Sequence, residues 1–118
     1  MKILVVDDDP LAGAMTGAVL ECAGHDVVLA ENGIEASEQL NENADIEMVV
    51  SDMNMPMVSG IDLFREMREQ GSLLPFVLLT GDDPAGLLEQ EPRLDGCLLK
   101  DANIEETLLE IVARFDKA

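Results

Sequence analysis

The chain carries five short runs of apolar residues, separated by longer segments in which apolar and polar residues are mixed. Most of these runs are nearly continuous rather than alternating, which is typical of parallel strands that are buried on both faces. They cover residues 3–6, 27–30, 46–50, 76–79 and 97–99. Strands that alternate with helices along a chain form right-handed βαβ units. The pattern therefore predicts a doubly wound α/β fold, with a five-stranded parallel sheet between layers of helices.

The segment after the first run has the signals of a helix. Asp9 fits the N-cap, Pro10 fits the first helical position, and Gly24 is expected to end the helix. Apolar residues recur in this segment at intervals of four, three and four positions, as on one face of a helix. We expect that face to be formed by Leu11, Met15, Ala18 and Cys22.

Three more segments of helical character follow. A weaker one runs from about Gly33 to Leu40, and another has an apolar stripe that is closed by Gly71. The last begins at a sequence that resembles a capping box, with Asn103 as the N-cap and Glu106 three residues later. The two stripes consist of Ile61, Phe64 and Met67, and of Ile104, Leu108, Ile111, Val112 and Phe115.

The segment between the fourth and fifth runs is the least suited to a helix. Pro84, Gly86 and Pro92 all lie between Gly81 and Gly96. Proline removes a backbone donor and glycine weakens a helix interior, so these residues leave room for about two turns. We therefore expect the fourth helix to be short or irregular.

The amino-acid composition argues against several classes of protein. Among 118 residues, 25 are acidic and seven are basic, which gives a formal net charge of −18, while 47% are hydrophobic. Such a charge repels nucleic acids and anionic membranes, and the apolar content argues against disorder. Two cysteines are too few for a disulfide framework, no apolar run approaches the ~20 residues of a membrane span, and Asp7 comes too early for a signal peptide. We expect a single cytoplasmic domain without a nucleic-acid or membrane partner.

Polar residues directly follow four of the predicted strands. Asp7, Asp8 and Asp9 follow the first, Asp52 the third, Thr80 the fourth and Lys100 the fifth. The carboxyl ends of parallel strands meet at one edge of the sheet, where such folds bind ligands. Clustered carboxylates repel one another unless a cation intervenes, and a site of oxygen ligands suits Mg²⁺. The residues indicate metal-assisted handling of a phosphoryl group, with an ammonium and a hydroxyl as further partners.

These strand ends fall within motifs that together resemble one family. The motifs are Val5-Val6-Asp7-Asp8, Asp52-Met53-Asn54-Met55-Pro56 followed by Gly60, Leu79-Thr80-Gly81 and Leu98-Leu99-Lys100. In this order they resemble the receiver domain of two-component response regulators, over essentially the whole chain. The resemblance implies a flavodoxin-like (β/α)5 fold and one receiver domain over residues 1–118, with no output domain in this chain.

The resemblance also implies a role for each residue of the cluster. Asp52 matches the phosphoacceptor, and Asp8 matches a direct ligand of Mg²⁺ (or Mn²⁺), with Asp52 as another ligand. Asp7 matches the acid that reaches the metal through water, and Asn54 matches the position that lends its backbone carbonyl. Thr80 and Lys100 match the hydroxyl and the lysine that bind the phosphoryl group. The implied donor is a phosphohistidine on a histidine kinase or a histidine phosphotransfer protein, and the chain would act on itself rather than turn over a metabolite.

Two residues depart from the pattern of the family. Asp101 stands where a proline joined by a cis bond usually follows the lysine, so the loop is either trans and reshaped or strained. A carboxylate there could also compete for the ammonium of Lys100. Cys97 stands where the family usually has a switch tyrosine or phenylalanine, and a thiol is too small to act in the same way. Cys97 and the short fourth helix both fall on the surface that most receivers use for output or for forming homodimers. We therefore expect the signal to leave by another surface, or the phosphoryl group simply to move on.

The sequence leaves other interpretations of the acidic pair and of the function open. Asp8 and Asp9 could form the acidic pair, which would put Pro10 at the cap. A degenerate receiver would only bind proteins. A flavin-binding electron carrier would need a phosphate loop where this chain has carboxylates, and tyrosine and tryptophan are absent. An aspartyl phosphatase would need a second carboxylate two residues after Asp52, where Asn54 stands.

The remaining chemistry-bearing residues have ordinary interpretations. His25 is expected to be exposed before the second strand, and one histidine cannot build a metal site alone. Cys22 and Cys97 are expected to pack as small core residues. Three methionines follow Asp52 and are expected to be loop and packing residues rather than metal ligands, because hard cations prefer oxygen. They are Met53, Met55 and Met57.

Overall fold

A computed structural model describes residues 1–116 of the chain, which form a five-stranded parallel sheet flanked by five helices. The strands are β1 (Lys2–Val6), β2 (Asp26–Ala30), β3 (Met48–Asp52), β4 (Phe76–Thr80) and β5 (Gly96–Leu99). Their order in the sheet is β2-β1-β3-β4-β5, so the sheet is doubly wound, as the sequence predicts. The helices are α1 (Pro10–Cys22), α2 (Gly33–Glu42), α3 (Gly60–Glu69), α4 (Pro84–Gln90) and α5 (Ile104–Phe115). None of the helices described is long and apolar enough to cross a membrane.

The core lies on both faces of the sheet. One layer, beneath α2 and α3, contains Phe64 and Phe76, whose rings meet edge to face with their centroids 5.3 Å apart. The other layer lies beneath α1 and α5 and contains Leu20 and Leu108. The three inner strands are therefore apolar along nearly their whole length, which is why they appear in the sequence as continuous runs.

The third strand begins later than the sequence predicts. The apolar run starts at Ile46, but the strand starts at Met48. Ile46 is buried in the connection between α2 and β3, where its N–H donates to the carbonyl oxygen of Asn43 at 3.2 Å. The strand instead continues through Asp52, and all five of its residues are buried. This shift makes Asp52 part of the sheet rather than of a loop.

The predicted apolar face of α1 is wrong. Leu11, Met15 and Cys22 are exposed, as is Ala18, whereas Gly13, Gly17 and Leu20 are buried. A Cβ atom on Gly17 would lie 3.1 Å from Cγ1 of Val27, so the absent side chain lets the helix lie close to β2. The larger apolar residues of the helix are therefore left facing outward. The prediction failed because apolar periodicity does not show which side of a helix approaches the sheet.

The start of α1 is as predicted. One carboxylate oxygen of Asp9 accepts hydrogen bonds from the N–H groups of Leu11 at 3.0 Å and Ala12 at 3.4 Å, and Pro10 occupies the first turn. Because Asp9 caps the helix, the alternative pairing of Asp8 with Asp9 as the acidic pair is wrong.

The expected capping box of α5 does not form. Asn103 is the N-cap, but its side chain makes no hydrogen bond to the helix. Instead, Oδ1 of Asp101 accepts a hydrogen bond of 2.9 Å from the N–H of Asn103. The residue two positions earlier therefore organises the entry to α5, through a short turn that a capping-box motif does not describe.

The expected exposure of His25 is also wrong, since only 9% of this residue is accessible. Gly24, at φ +95°, lets the chain reverse, and the N–H of His25 then donates to the carbonyl oxygen of Leu20 at 3.1 Å. The reversal carries the imidazole inward, where Nδ1 lies 3.8 Å from Oδ2 of Asp116 at the end of α5.

The fourth helix has the two turns expected, and none of its seven residues is buried. Its C-terminal end is held by Glu91, which is buried. The carboxylate accepts hydrogen bonds from Nε of Arg93 at 2.8 Å and from Nε of Arg65, in α3, at 3.1 Å. The bonds from Arg93, supported by that from Arg65, outweigh the opposing effect of burial and lower the pKa of Glu91 from 4.5 to about 2. A charged network therefore ties α4 to α3.

Glu91→Gln is expected to lower the free energy of unfolding by about 1–2 kcal/mol near pH 7, because both arginines lose a charged acceptor but remain largely in contact with water. The depressed pKa makes this contribution complete above about pH 4.5, and it disappears as the pH falls towards 2. Urea denaturation of both proteins at several pH values measures the difference. Glu89→Gln, at an exposed position of α4, is the matched control and should change little. A difference that stays constant down to about pH 3 would contradict the pKa shift.

Candidate functional site

The acidic residues after β1 point in different directions. The N–H of Asp7 donates to the carbonyl oxygen of Ala30 at 3.0 Å, which extends the pairing of β1 with β2 by one residue. Only 5% of Asp7 is exposed, and its Oδ1 accepts a 2.9 Å hydrogen bond from the N–H of Asp9. Asp8 lies between them and is exposed. The turn thus presents one buried and one exposed carboxylate at the edge of the sheet.

Asp52 is fixed at the end of β3 by both neighbours of that strand end. The next residue, Met53, donates its N–H to the carbonyl oxygen of Leu79 in β4 at 2.9 Å. On the other side α3 begins so close that a Cβ atom on Gly60 would lie 2.6 Å from the carbonyl oxygen of Asp52. Only 7% of Asp52 is exposed. The carboxylate is therefore held at the same edge as the acids of β1.

Lys100 brings the positive charge into this cluster. Its Nζ lies 2.7 Å from Oδ1 of Asp52 and 3.7 Å from Oδ2 of Asp7. Its own N–H donates to the carbonyl oxygen of Thr80 at 2.7 Å, so the lysine continues the pairing of β5 with β4. The peptide between Lys100 and Asp101 is trans, and the carboxylate of Asp101 is turned towards the N–H of Asn103. Of the two alternatives for this loop, the trans form is the one observed.

The carboxylates have the chemistry of a divalent-cation site. Oxygen atoms of Asp7, Asp8 and Asp52 all lie within 4.8 Å of one another. Burial is the main cause that raises the pKa of Asp7, and the charges of Asp52 and Asp8 raise it further, against the hydrogen bond from Asp9 and the charge of Lys100. One ammonium thus offsets only part of the repulsion among three carboxylates. A hard cation with oxygen ligands, such as Mg²⁺, fits the remaining charge.

The other predicted site residues, Thr80, Asn54 and Cys97, differ in their position and burial. Thr80 ends β4 with 1% of its surface exposed, and its Oγ1 accepts a hydrogen bond of 3.0 Å from the N–H of Asp82. Its own hydroxyl hydrogen is therefore available to a ligand. Asn54 is exposed in the loop after Asp52. Cys97 is buried in the middle of β5, in the core rather than among the acids, and burial raises the pKa of its thiol.

A groove beside Lys100 was not foreseen from the sequence. It lies between α1 and α5 with a volume of about 260 Å³. Its walls include Met15 and Ile104, and Asp101 and Glu105 also line it. Met15 belongs to the apolar stripe of α1 that we expected in the core. This stripe is the feature of the sequence that could have indicated the groove, but the sequence does not show that the stripe faces outward.

The sequence matches the profile of the response regulator receiver domain over residues 3–113. It is 37% identical, over 114 residues, to the transcriptional regulatory protein CpxR homolog of Haemophilus influenzae, which covers 95% of this chain and 49% of that protein. It is also 37% identical, over 83 residues, to the chemotaxis protein CheY1 of Helicobacter pylori, covering 68% of this chain and 67% of that protein. The chain thus spans about half the length of the first relative and two thirds of the second.

Solved structures of similar proteins have the same fold. The response regulator TrrA of Thermotoga maritima, solved in complex with Mg²⁺ and BeF, superposes with a TM-score of 0.86 at 29% identity. The chemotaxis protein CheY4 of Vibrio cholerae superposes with a TM-score of 0.84 at 31% identity. In both comparisons 98% of each chain is covered.

Proposed function

The chain belongs to the response regulator receiver domain family of two-component systems, and from this membership we propose that it accepts a phosphoryl group on Asp52 in a Mg²⁺-dependent reaction. The observation that carries the proposal is the position of Asp52 in the acidic cluster with the ammonium of Lys100 at 2.7 Å. This arrangement joins a nearly buried carboxylate, oxygen ligands for a cation and a positive charge paired with that carboxylate. It is the set of groups that phosphoryl transfer to an aspartate requires.

In the proposed reaction, a carboxylate oxygen of Asp52 forms a bond to phosphorus. The bond between phosphorus and the leaving group breaks at the same centre, and the electron pair departs with that group. The product is an acyl phosphate on Asp52. The burial of this carboxylate limits the water around it, and its fixed backbone holds it in one orientation for an in-line approach.

Lys100 and Thr80 are proposed to bind the transferred group. Lys100 now pairs with Asp52, and its long side chain can follow the charge from the carboxylate to the phosphoryl oxygens. Thr80 accepts a hydrogen bond from Asp82, so its hydroxyl hydrogen can be donated to a phosphoryl oxygen. Both residues thus stabilise charge on the oxygens of the transferred group.

We assign the cation to Asp8 and Asp52 as direct ligands, to Asp7 through water and to the backbone carbonyl of Asn54. When bound, Mg²⁺ would neutralise negative charge on the phosphoryl oxygens. The chain's own part is to keep the acids close together: Asp9 fixes the orientation of Asp7, and Lys100 offsets part of their repulsion.

The proposed donor is a phosphohistidine on a histidine kinase or phosphotransfer protein, and the proposed location is the cytoplasm. The donor would approach past α1, where Leu11 and Met15 are exposed next to the acidic cluster and the groove beside Lys100 opens. A protein partner can cover such apolar side chains, whereas a small metabolite would leave them in water. The chain would therefore act as a signalling module, catalysing only its own modification.

Incubation with Mg²⁺ and acetyl phosphate tests the proposal by intact-mass analysis. We expect one phosphoryl group per chain, absent when Mg²⁺ is chelated and lost on treatment with hydroxylamine, which cleaves acyl phosphates. An adduct that forms equally without Mg²⁺ would contradict the proposed cation site. Failure to form any adduct, together with failure to bind Mg²⁺, would instead favour a receiver that only binds proteins.

A further inference from the structure

A long groove runs between α2 and α3, on the face of the sheet opposite α1 and α5. It consists of an upper cavity of about 250 Å³, near the loop before α3, and a lower cavity of about 390 Å³ between the C-terminal ends of the two helices. Asn41 lines both cavities, and we call the two together the α2–α3 groove. Each helix has ten residues, which corresponds to about 15 Å of groove.

Apolar side chains are exposed at both ends of the α2–α3 groove. Ile34 lines the upper cavity and is 55% exposed, and Met57, which directly precedes the lining residue Val58, is 75% exposed. Leu73, which lies between two residues that line the lower cavity, is 84% exposed. Met57 also has a φ of 68°, a conformation that residues with side chains rarely adopt. Such side chains beside a groove can act as anchors for the apolar face of a partner helix.

The charged side chains that line the α2–α3 groove are acidic and lie at its upper cavity. Glu38 and Glu66 line the upper cavity, and α2 contains no basic residue. Arg65 of α3 pairs with Glu91, whereas Arg68 pairs with Asp95 and also donates a 3.0 Å hydrogen bond to the carbonyl oxygen of Ser72 at the lower cavity. Nζ of Lys2 likewise donates to Oδ1 of Asn43 at the lower cavity, at 3.2 Å. The C-terminal ends of both helices, which carry partial negative charge, lie at the lower cavity. The groove therefore attracts positive charge at its upper cavity, beside Glu38 and Glu66.

We propose that the α2–α3 groove binds an amphipathic helix of a partner protein, with basic side chains beside its apolar stripe. The apolar anchors at the two ends are separated by about the length of three helical turns, which suits residues on one face of such a helix. The charge selects basic partners and rejects acidic peptides and nucleic acids. This binding is separate from the proposed phosphorylation, since neither Asp52 nor Lys100 lines the groove.

Chemical-shift mapping on the ¹⁵N-labelled chain tests the proposal. The probe is a synthetic helical peptide of about 14 residues, with leucines on one face and lysines on both flanks of that face. We expect the largest shifts at Ile34, Asn41, Val58 and Leu73. A second peptide, with glutamates in place of the lysines, should not bind. Shifts concentrated around α1 and α5, or no binding of the basic peptide, would overturn the proposal.

Charge reversal separates a specific groove from general attraction to an acidic protein. The double variant Glu38→Lys with Glu66→Lys is expected to weaken binding of the basic peptide by about tenfold or more. Glu106→Lys with Glu110→Lys makes the same change in net charge at exposed positions of α5, and should keep the affinity within about threefold. An equal loss in both variants would mean that the peptide follows net charge alone, and the groove would not be a binding site.

Discussion

Asp52→Asn is expected to abolish the Mg²⁺-dependent phosphoryl adduct while leaving the fold intact. An amide oxygen carries no full charge and is a poor nucleophile, so the bond to phosphorus does not form. The change keeps the size of the side chain at a nearly buried position. Lys100 also keeps an anionic neighbour, because Asp7 remains 3.7 Å from its ammonium. Intact-mass analysis after treatment with Mg²⁺ and acetyl phosphate measures the loss.

The matched control is Asp62→Asn, which makes the same chemical change at an exposed position in the first turn of α3. This variant should form as much adduct as the unchanged chain. Circular dichroism of both variants checks that they are folded. Full adduct formation by Asp52→Asn would mean that another carboxylate, Asp7 or Asp8, accepts the phosphoryl group. That result would refute the assignment of Asp52.

The location of the candidate site, at the edge of the sheet, could be predicted from the sequence because two local signals coincide at the strand ends. Continuous apolar runs mark strands buried on both faces, and a charged residue directly after such a run marks the strand end. Asp7 and Lys100 are separated by most of the chain, yet the topology of parallel strands brings their carboxyl ends together. The ion pair of Lys100 with Asp52 follows from that topology, although its 2.7 Å separation does not.

The outward face of α1 could not be predicted in this way. A helix with a uniformly apolar sequence has no clear polar side, and the choice of face depends on which side can approach the sheet. Here the smallest residues decide it, since Gly13 and Gly17 face inward. Apolar periodicity instead favours Leu11 and Met15, because it weighs size and hydrophobicity and not close approach. For the same reason, the groove beside Lys100, which is lined in part by Met15, could not be predicted from the sequence.

The network around Glu91 was missed for a different reason. Glu91 is one of 25 acidic residues, and nothing in its neighbourhood of the sequence marks it as buried. Arg93 is close in sequence, but Arg65 is 26 positions away on another helix. Only the packing of α3 against the segment after α4 brings the three charges together. Pairings of this kind depend on tertiary structure and leave no periodic signal.

Gly60→Ala is expected to destabilise the chain by about 2 kcal/mol and to reduce phosphorylation of Asp52. The added Cβ atom would lie 2.6 Å from the carbonyl oxygen of Asp52 and would collide with the side chain of Leu78. A backbone carbonyl cannot rotate away, so either α3 or the end of β3 has to move. That movement also displaces the carboxylate of Asp52 from Lys100. Gly60 is the first residue of α3, where alanine has little advantage in helix propensity over glycine, so the collision decides the sign of the effect.

Gly86→Ala makes the same substitution in α4, where a Cβ atom would meet nothing within 4 Å. Alanine is the better residue in a helix interior, so this variant should be more stable by about 0.5–1 kcal/mol and should be phosphorylated normally. Urea denaturation of both variants gives the two free energies, and intact-mass analysis gives the extent of phosphorylation. Opposite signs for one substitution at two helical glycines would show that the close approach of α3 holds Asp52 in place. If Gly60→Ala proved as stable as Gly86→Ala, the contact between α3 and the end of β3 would be loose, and Asp52 would depend on its pairing with β4 alone.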